Sequence, residues 1–537
     1  MNERARDWPA ICALAAAWVA LLALAGPSGN FPLNDDWGPA GSVEHLLHTG
    51  RYLPSGWMDM NLIAQVLWGA LFCLPRGFSF EALRLSTQVL GLAGVLATFA
   101  LSRECGAPRR VALLCGALVA VNPIWFELSN TYMTDVPFAA FSTIAVWLLA
   151  RSSRTRSPAE VVAGFCATLL ALLVRQNALA LPAAFLAAVV LRERKRPAAV
   201  AGAVLLVVAC AAVQSGFAAW LVATRPAASV AHYGRIAGGL LSVLRGAPLL
   251  VCPACNFADL AIYLGLFAFP LAVALEGTRL SGLPRQERIA EGAAWAIAAA
   301  AILAIVNYFG ERLPLLRNTF IDVGVGPLTL RDCFGRSQPQ HWPQAPAWCW
   351  TLATVAGALG ALWAAAALVR GARRGALFPV LALLALAGPL VLVNVFDRYV
   401  LPLLPLLLAA AAGTLVPRRG PLVVGALAAA LFGVYSTAAT HDYLAWNRAR
   451  WQALGGLLAQ GHRPEEIDGG VEFNGRYLYS PDYLPVAGKS WWWVEDDALL
   501  LAFGPMPGRE EIARVPFRRW LPPGEGAVLV LRRSAAR

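Results

Sequence analysis

Charge is scarce in this chain. Only 14% of its 537 residues are Asp, Glu, Lys or Arg, whereas 58% are hydrophobic, with a mean hydropathy of +0.58. A soluble domain of this size must wet its exterior with polar side chains, so the deficit excludes a water-soluble globule. Also missing are a glycine loop that could cradle phosphates, an ATP-binding motif, an internal repeat and a low-complexity linker. Energy for a reaction must then come from a reactive donor or a gradient. The amino end is basic and then apolar, with no convincing cleavage site, and reads as a retained first span rather than a signal peptide.

What is abundant is Ala, Leu and Val, in runs nearly free of charge and long enough to cross a bilayer. Spans are expected near 9–26, 83–101, 111–126, 136–150, 160–174, 178–191, 198–222, 258–275, 290–308, 347–369, 376–395, 399–416 and 420–438, about thirteen in all. The net charge of +12 does not point to nucleic acid, because the arginines sit in short clusters between these runs. Arg4 and Arg6, then the clusters at Arg103, Arg151, Arg192, Arg279, Arg370 and Arg418, all fall on one side of such a bundle. By the positive-inside rule that side is the cytoplasm. The amino end is then inside, and an odd span count puts the carboxyl end outside.

Residues 1–440 are expected to form the membrane module, with a first outer loop over 27–82, and residues 441–537 a small outer α/β domain. In that tail, apolar runs alternate with turn signals after a helix-period stretch around Trp451–Leu458. Of the ten cysteines, most lie in or beside apolar runs and serve as small hydrophobes. Cys252 and Cys255 sit in a loop, where a structural disulfide is favoured over a redox motif or half a zinc site.

Two sets of carboxylates fall at the outer junctions. Asn34-Asp35-Asp36-Trp37 follows the first span, and Ala40, Val43, Leu46 and Leu47 then repeat at helical spacing up to Gly50. This predicts a short amphipathic helix in the interface, with Asp35 and Asp36 at its amino end. Either acid could simply cap that helix. Alternatively one is a general base for an acceptor hydroxyl or amine, and its neighbour orients the acceptor or holds a metal. Asp135, just before Pro137, opens a later span and has the same two readings.

Asp35-Asp36 followed by Gly50, then Asp135 ahead of a proline-started span, resembles membrane glycosyltransferases of the GT-C superfamily. The branch resembled includes protein O-mannosyltransferases and the aminoarabinose transferases of lipid A. In those families an Asp-Glu pair opens an interfacial helix in the first outer loop, its first acid being the base. Asp35 holds that position here, and Asp36 replaces the glutamate. The similarity returns at Asp397-Arg398-Tyr399 with Pro402 and Pro405, where those families carry an Arg-Tyr then Pro…Pro run. The resemblance implies an all-α polytopic GT-C-like protein with outer interfacial helices and a small C-terminal α/β domain. It also implies an inverting transferase in a bacterial inner membrane, fed by a polyprenyl-phosphate sugar and serving a glycan, lipid or protein acceptor.

A polyprenyl-phosphate donor needs its leaving phosphate neutralised near the bilayer surface. Arg175, followed by Gln176, and Arg398, followed by Tyr399, are the arginines that break the cytoplasmic rule. Each could hold phosphate oxygens or snorkel to lipid headgroups. Arg175 is preferred, since Asp397 could pair with Arg398. No cofactor is expected beyond the donor, although two or three carboxylates could hold a divalent ion. Trp491, Trp492 and Trp493 could stack on sugars or join an interfacial belt, and Glu472 and Asn474 could touch an acceptor. The competing function is a polytopic transporter or lipid flippase. Its polar residues would gather at the bilayer midplane rather than at one face.

Overall fold

The computed structural model describes residues 3–224, 251–333, 341–393, 395–489 and 492–534. Trp491 and parts of two expected outer loops lie outside the described residues. Helices dominate the rest. They are α1 (Glu3–Ala25), α2 (Trp37–Thr49), α3 (Ile63–Cys73), α4 (Phe80–Glu104), α5 (Arg109–Ala120), α6 (Pro123–Ser129), α7 (Asp135–Thr155), α8 (Pro158–Val174) and α9 (Ala180–Glu193). There follow α10 (Pro197–Thr224), α11 (Pro253–Ser281), α12 (Arg285–Phe309), α13 (Ala347–Gly371), α14 (Leu377–Ala387), α15 (Leu404–Ala412), α16 (Arg419–Ala459) and α17 (Val471–Leu478).

Each of the thirteen expected spans contains a helix among the described residues. Among the described residues, eight helices are long and apolar enough to cross a membrane, or nine if the bent pair α5–α6 counts as one span. The chain is a multi-pass membrane protein. The remaining apolar segments are shorter helices, for reasons visible in the sequence. Pro123 forces Asn122 out of helical conformation, and the Asn122 side chain then accepts the N–H groups of Ile124 and Trp125 at 3.1 and 2.9 Å. The result is a 60° bend between α5 and α6. Near α15, Pro402 and Pro405 shorten the span, and every residue of Leu404–Ala412 is buried by neighbouring helices.

Helix packing in the bundle relies on small residues. A Cβ on Gly265 of α11 would lie 2.0 Å from the Gly357 carbonyl oxygen, and one on Gly360 of α13 would lie 2.1 Å from that of Gly265. The two backbones touch, as membrane helices do where bulk is absent. By contrast α10 and α12 bury little of their surface and present apolar side chains outward.

The interfacial helix forms as the spacing predicts. It ends at Gly50, whose φ of +68° closes the helix through an N–H bond to Leu46 O at 2.8 Å. Helix α16 is 41 residues long and runs unbroken across residue 440, where the outer domain was expected to begin. A short antiparallel pair joins β1 (Phe320–Ile321) to β2 (Gly324–Val325), and the second half of α16 carries a sheet of order β3-β4-β6-β5, built from β3 (Ile467–Asp468), β4 (Leu499–Ala502), β5 (Arg509–Trp520) and β6 (Pro523–Arg533). β3 and β4 are parallel and the other pairs antiparallel. Trp446 and Leu454 of α16 pack with Trp342, Leu501, Phe503 and Val530 in one core, so the sheet is welded to the helix. Asp442 fixes the far corner by accepting the N–H groups of Trp520 and Leu521 at 2.7 and 2.8 Å.

Candidate active site

At the sheet-bearing end of the bundle, three sequence-distant segments meet: the turn before α2, the α6–α7 junction and the turn before α15. Asn34–Asp36 is a single 3-10 turn, and Asn34 adopts φ +55°, a left-handed conformation that asparagine tolerates. Its Oδ1 accepts the Asp35 N–H at 2.9 Å. The turn is gripped from behind by Arg84, which donates to the carbonyl oxygens of Pro27, Gly29 and Phe31 at 2.7, 3.0 and 3.2 Å.

The two adjacent acids of this turn are held differently. Asp36 is buried; its Oδ1 accepts the Leu33 N–H at 2.7 Å and its Oδ2 the Tyr132 N–H at 3.1 Å. One carboxyl therefore closes the turn and ties the first loop to the α6–α7 junction. Burial pushes its pKa up to about 7 against the pull of those two donors. Tyr132 in turn donates its hydroxyl to Gln65 O at 2.7 Å, which locks α3 to the same junction. Asp35 is only half-buried, and its Oδ1 accepts the indole N–H of Trp57 at 3.1 Å. Burial raises the Asp35 pKa, opposed chiefly by the positive charge of Arg398 and then by the Trp57 bond. A carboxyl shifted upward is a stronger proton acceptor once ionised.

Asp135 opens α7 and is 1% exposed. Arg175 Nη2 stands 2.9 Å from its Oδ1, and Arg398 Nε stands 3.8 Å from the same atom. Arg175 also donates from Nε to Thr134 Oγ1 at 2.8 Å, with its guanidinium 5.9 Å from the ring centres of both Phe138 and Tyr399. Gln176 points elsewhere: its Nε2 donates to Asp59 O at 2.7 Å and steadies the first loop. The expectation that Asp397 neutralises Arg398 is corrected. Asp397 Oδ2 accepts the N–H groups of Asn318, Thr319 and Phe320 at 3.2, 2.8 and 2.6 Å, so this carboxylate is spent on a backbone turn. Nε and Nη1 of buried Arg398 find no hydrogen-bond partner among the described residues.

Other residues escaped the sequence reading. Trp57, which touches Asp35, lies 22 residues away with no spacing signal. Glu127 in α6 is fully buried, and neither of its oxygens has a hydrogen-bond partner among the described residues. It interacts electrostatically with Asp397, Arg398, Asp135 and Asp36. An acid beside an apolar run is a recognisable flag, and Glu127 could have been found that way. Glu472, which could have touched an acceptor or simply belonged to a folded outer domain, is an anchor of that domain. Its Oε1 accepts the Asn34 N–H at 3.1 Å, and its Oε2 accepts from Arg450 Nη1 at 2.5 Å and Thr329 Oγ1 at 2.6 Å. Asn474 bonds Asp468 and Gly469 within the same domain. Cys252 and Cys255 form a disulfide with Cα atoms 5.2 Å apart. Among the described residues no group of three or more His, Cys, Asp or Glu is placed to hold a metal ion.

The arrangement thus offers a partly exposed carboxyl beside buried cationic side chains, at one end of an apolar bundle. A proton acceptor and an anion receiver in one place suit displacement of a charged leaving group by a hydroxyl or amine.

Residues 64–220 match the family model described as dolichyl-phosphate-mannose-protein mannosyltransferase. None of the curated proteins compared matches the chain. Among solved structures, ArnT from Cupriavidus metallidurans in the apo state is 14% identical, with all of both chains aligned and a TM-score of 0.45. The same protein bound to undecaprenyl phosphate gives 14% and 0.40. The archaeal oligosaccharyltransferase AglB from Archaeoglobus fulgidus, in complex with an inhibitory peptide and a dolichol-phosphate, is 15% identical with a TM-score of 0.46. That alignment covers 90% of this chain and 62% of AglB. Over residues 64–220 the chain is therefore similar to dolichyl-phosphate-mannose-protein mannosyltransferases, the GT-C branch that the acids of its first loop and its late Arg-Tyr run already resembled.

Proposed function

We propose that this protein is an integral-membrane glycosyltransferase that moves a sugar from a polyprenyl-phosphate donor to a glycan, lipid or protein acceptor on the non-cytoplasmic face. Asp35 acts as general base. It takes the proton of the acceptor hydroxyl or amine as that group attacks the anomeric carbon, and the bond from that carbon to the phosphate oxygen breaks. The product is the inverted glycoside, and polyprenyl phosphate leaves. Arg398, with Arg175 beside it, receives the charge that grows on the phosphate, and the Tyr399 ring backs the Arg175 guanidinium. Asp135 holds both guanidinium groups in place, while Asp36 and Gln176 fix the loop from which Asp35 projects. Residues 1–440 form the transferase module and 441–537 the outer domain. The amino end is cytoplasmic and the carboxyl end periplasmic, in a bacterial inner membrane.

One observation carries this reading: Asp35 is partly exposed and within the electrostatic field of Arg398, whose Nε and Nη1 are without hydrogen-bond partners among the described residues. The test is to incubate purified protein and its Asp35→Asn variant with radiolabelled polyprenyl-phosphate sugars and membrane acceptors. Release of polyprenyl phosphate by the parent protein, lost in a folded variant, is the expected result. Equal turnover by the variant would remove Asp35 as base. A silent parent protein, followed by substrate flux in liposomes, would turn the assignment to a transporter.

A further inference from the structure

Beside Asp35 stands a group of rings that the proposed chemistry leaves unused. Trp37 opens α2, Trp57 comes from the first loop, and Tyr479, Trp492 and Trp493 come from the segment after α17. Their centres lie close: Trp57–Trp493 at 5.0 Å, Trp37–Tyr479 and Tyr479–Trp493 each at 5.3 Å, Trp492–Trp493 at 5.8 Å, and Trp57–Tyr479 at 6.0 Å. Trp37 and Trp493 are buried and form a backing layer. Trp57, Tyr479 and Trp492 lie in front of it, each partly exposed.

Two features separate this group from an ordinary core or a lipid-facing belt. Belt tryptophans are dispersed around a bundle, each with its own lipid contact. Here rings from three separate segments converge on one another, Trp57–Trp493, Tyr479–Trp493 and Trp57–Tyr479 edge-to-face and Trp37–Tyr479 and Trp492–Trp493 tilted. The chain also accepts unusual backbone to place them. Trp493 adopts φ +60°, a conformation that bulky side chains rarely adopt. Helix α17 approaches so closely that a Cβ on Gly475 would lie 2.3 Å from the Trp37 ring. The link to chemistry is direct, because the Trp57 indole N–H donates to Asp35 Oδ1.

Apart from Asp35, the rings themselves bring no charge, so they suit a ligand recognised by its shape and C–H surface. A pyranose or furanose ring presents such a face, and its hydroxyls radiate from the rim, where Asp35 stands. We infer that Trp57, Tyr479 and Trp492 form the acceptor platform, and that the acceptor offers a sugar ring whose hydroxyl is delivered to Asp35. This rests on the transferase reading above and narrows its acceptor to a glycan or glycolipid rather than a peptide.

Saturation-transfer NMR on the full chain in nanodiscs tests the platform without requiring turnover. The probes are maltotetraose, cellotetraose and an octapeptide containing Ser, Thr and Asn. Saturation of sugar C–H protons is expected in the parent protein. It should fall at least about fivefold in Tyr479→Leu and Trp492→Leu, and persist in Tyr479→Phe, which keeps the ring and guards against a folding artefact. Transfer to the peptide alone, to no probe, or equally to parent and Leu variants would overturn the proposal. With labelled donor, the Leu variants should raise the acceptor KM at least about tenfold and leave the donor KM unchanged. Absence of donor turnover in the parent protein would count against the transferase reading, while the NMR result would still decide the platform.

Discussion

Glu472 accepts the main-chain N–H of Asn34 at 3.1 Å, across 438 residues of sequence. The last part of the chain thereby holds the peptide that precedes the candidate base. Because Glu472 also pairs with Arg450, and both side chains are 0% exposed, the anchor sits in a fully desolvated place.

Removing one member of that pair strands the other. Glu472→Ala should cost about 3–5 kcal/mol of stability, most of it from the uncompensated Arg450 charge. Thermal unfolding in detergent would show it. Glu472→Gln keeps an acceptor for the Asn34 N–H and should lose less. An unchanged unfolding midpoint in the alanine variant would mean that the outer domain does not depend on this anchor.

Arg398 and Arg175 should respond differently to replacement. Arg175 is already engaged by Asp135 and Thr134, whereas Nε and Nη1 of Arg398 lack hydrogen-bond partners among the described residues. Arg398→Gln is expected to weaken binding of undecaprenyl phosphate by about 1.5–3 kcal/mol, roughly ten- to more than a hundredfold, with little loss of stability. Arg175→Gln should cost more in stability, since it leaves Asp135 buried with one fewer partner. Affinities from native mass spectrometry, set beside unfolding midpoints, separate the two.

Proton linkage gives a third test. Burial raises the Asp36 pKa from 3.8 to about 7. The fold therefore holds a proton that the unfolded chain has released, and stability should fall as pH rises from about 4 to 7 and level off above that. Asp36→Asn should reduce this slope, leaving the part that the raised Asp35 carboxyl contributes. Activity should move the opposite way, because Asp35 must be ionised to serve as base. Its acid limb is expected above the ordinary carboxylate range, since burial raises the Asp35 pKa. Trp57→Phe, which removes a bond favouring the carboxylate, should shift the limb further up. A pH-rate profile of each variant checks both signs.

The α11–α13 crossing supplies a control remote from the site. Gly360→Ala would press a methyl group into the Gly265 carbonyl oxygen, so the helices must separate. A loss of about 1–3 kcal/mol is expected, with donor KM unchanged in whatever fraction remains folded. Unaltered thermal stability would show that the crossing yields more readily than its geometry suggests.

Much of this architecture is legible in the residues, and the remainder is hidden for physical reasons. Hydropathy located the long helices of the bundle, because bilayer solvation acts on each segment separately, but it left α3 inside the expected first loop. The turn at Asn34–Asp36 and the stop at Gly50 were equally local and equally visible. The division of labour between Asp35 and Asp36 was not. It depends on Tyr132, Trp57 and Glu472, which reach the turn only through tertiary packing. The partner of Asp397 was hidden for the same cause: adjacency suggested an Asp397–Arg398 pair, while the fold gives Asp397 to the backbone of 318–320. Shortened helices such as α15 also defeat a span count, since a segment walled in by protein need not be long enough to meet both water layers.

The unbroken course of α16 constrains how a substrate could come and go. At 1.5 Å per residue its 41 residues make a mast about 60 Å tall, footed in the bundle and welded to the sheet at its top. A roof mounted on such a mast cannot tip back like a lid without bending the helix or tearing the Arg450–Glu472 pair. A substrate of the proposed transferase would then pass under the eaves, sideways between the first loop and Tyr479, whose ring stands 6.0 Å from that of Trp57.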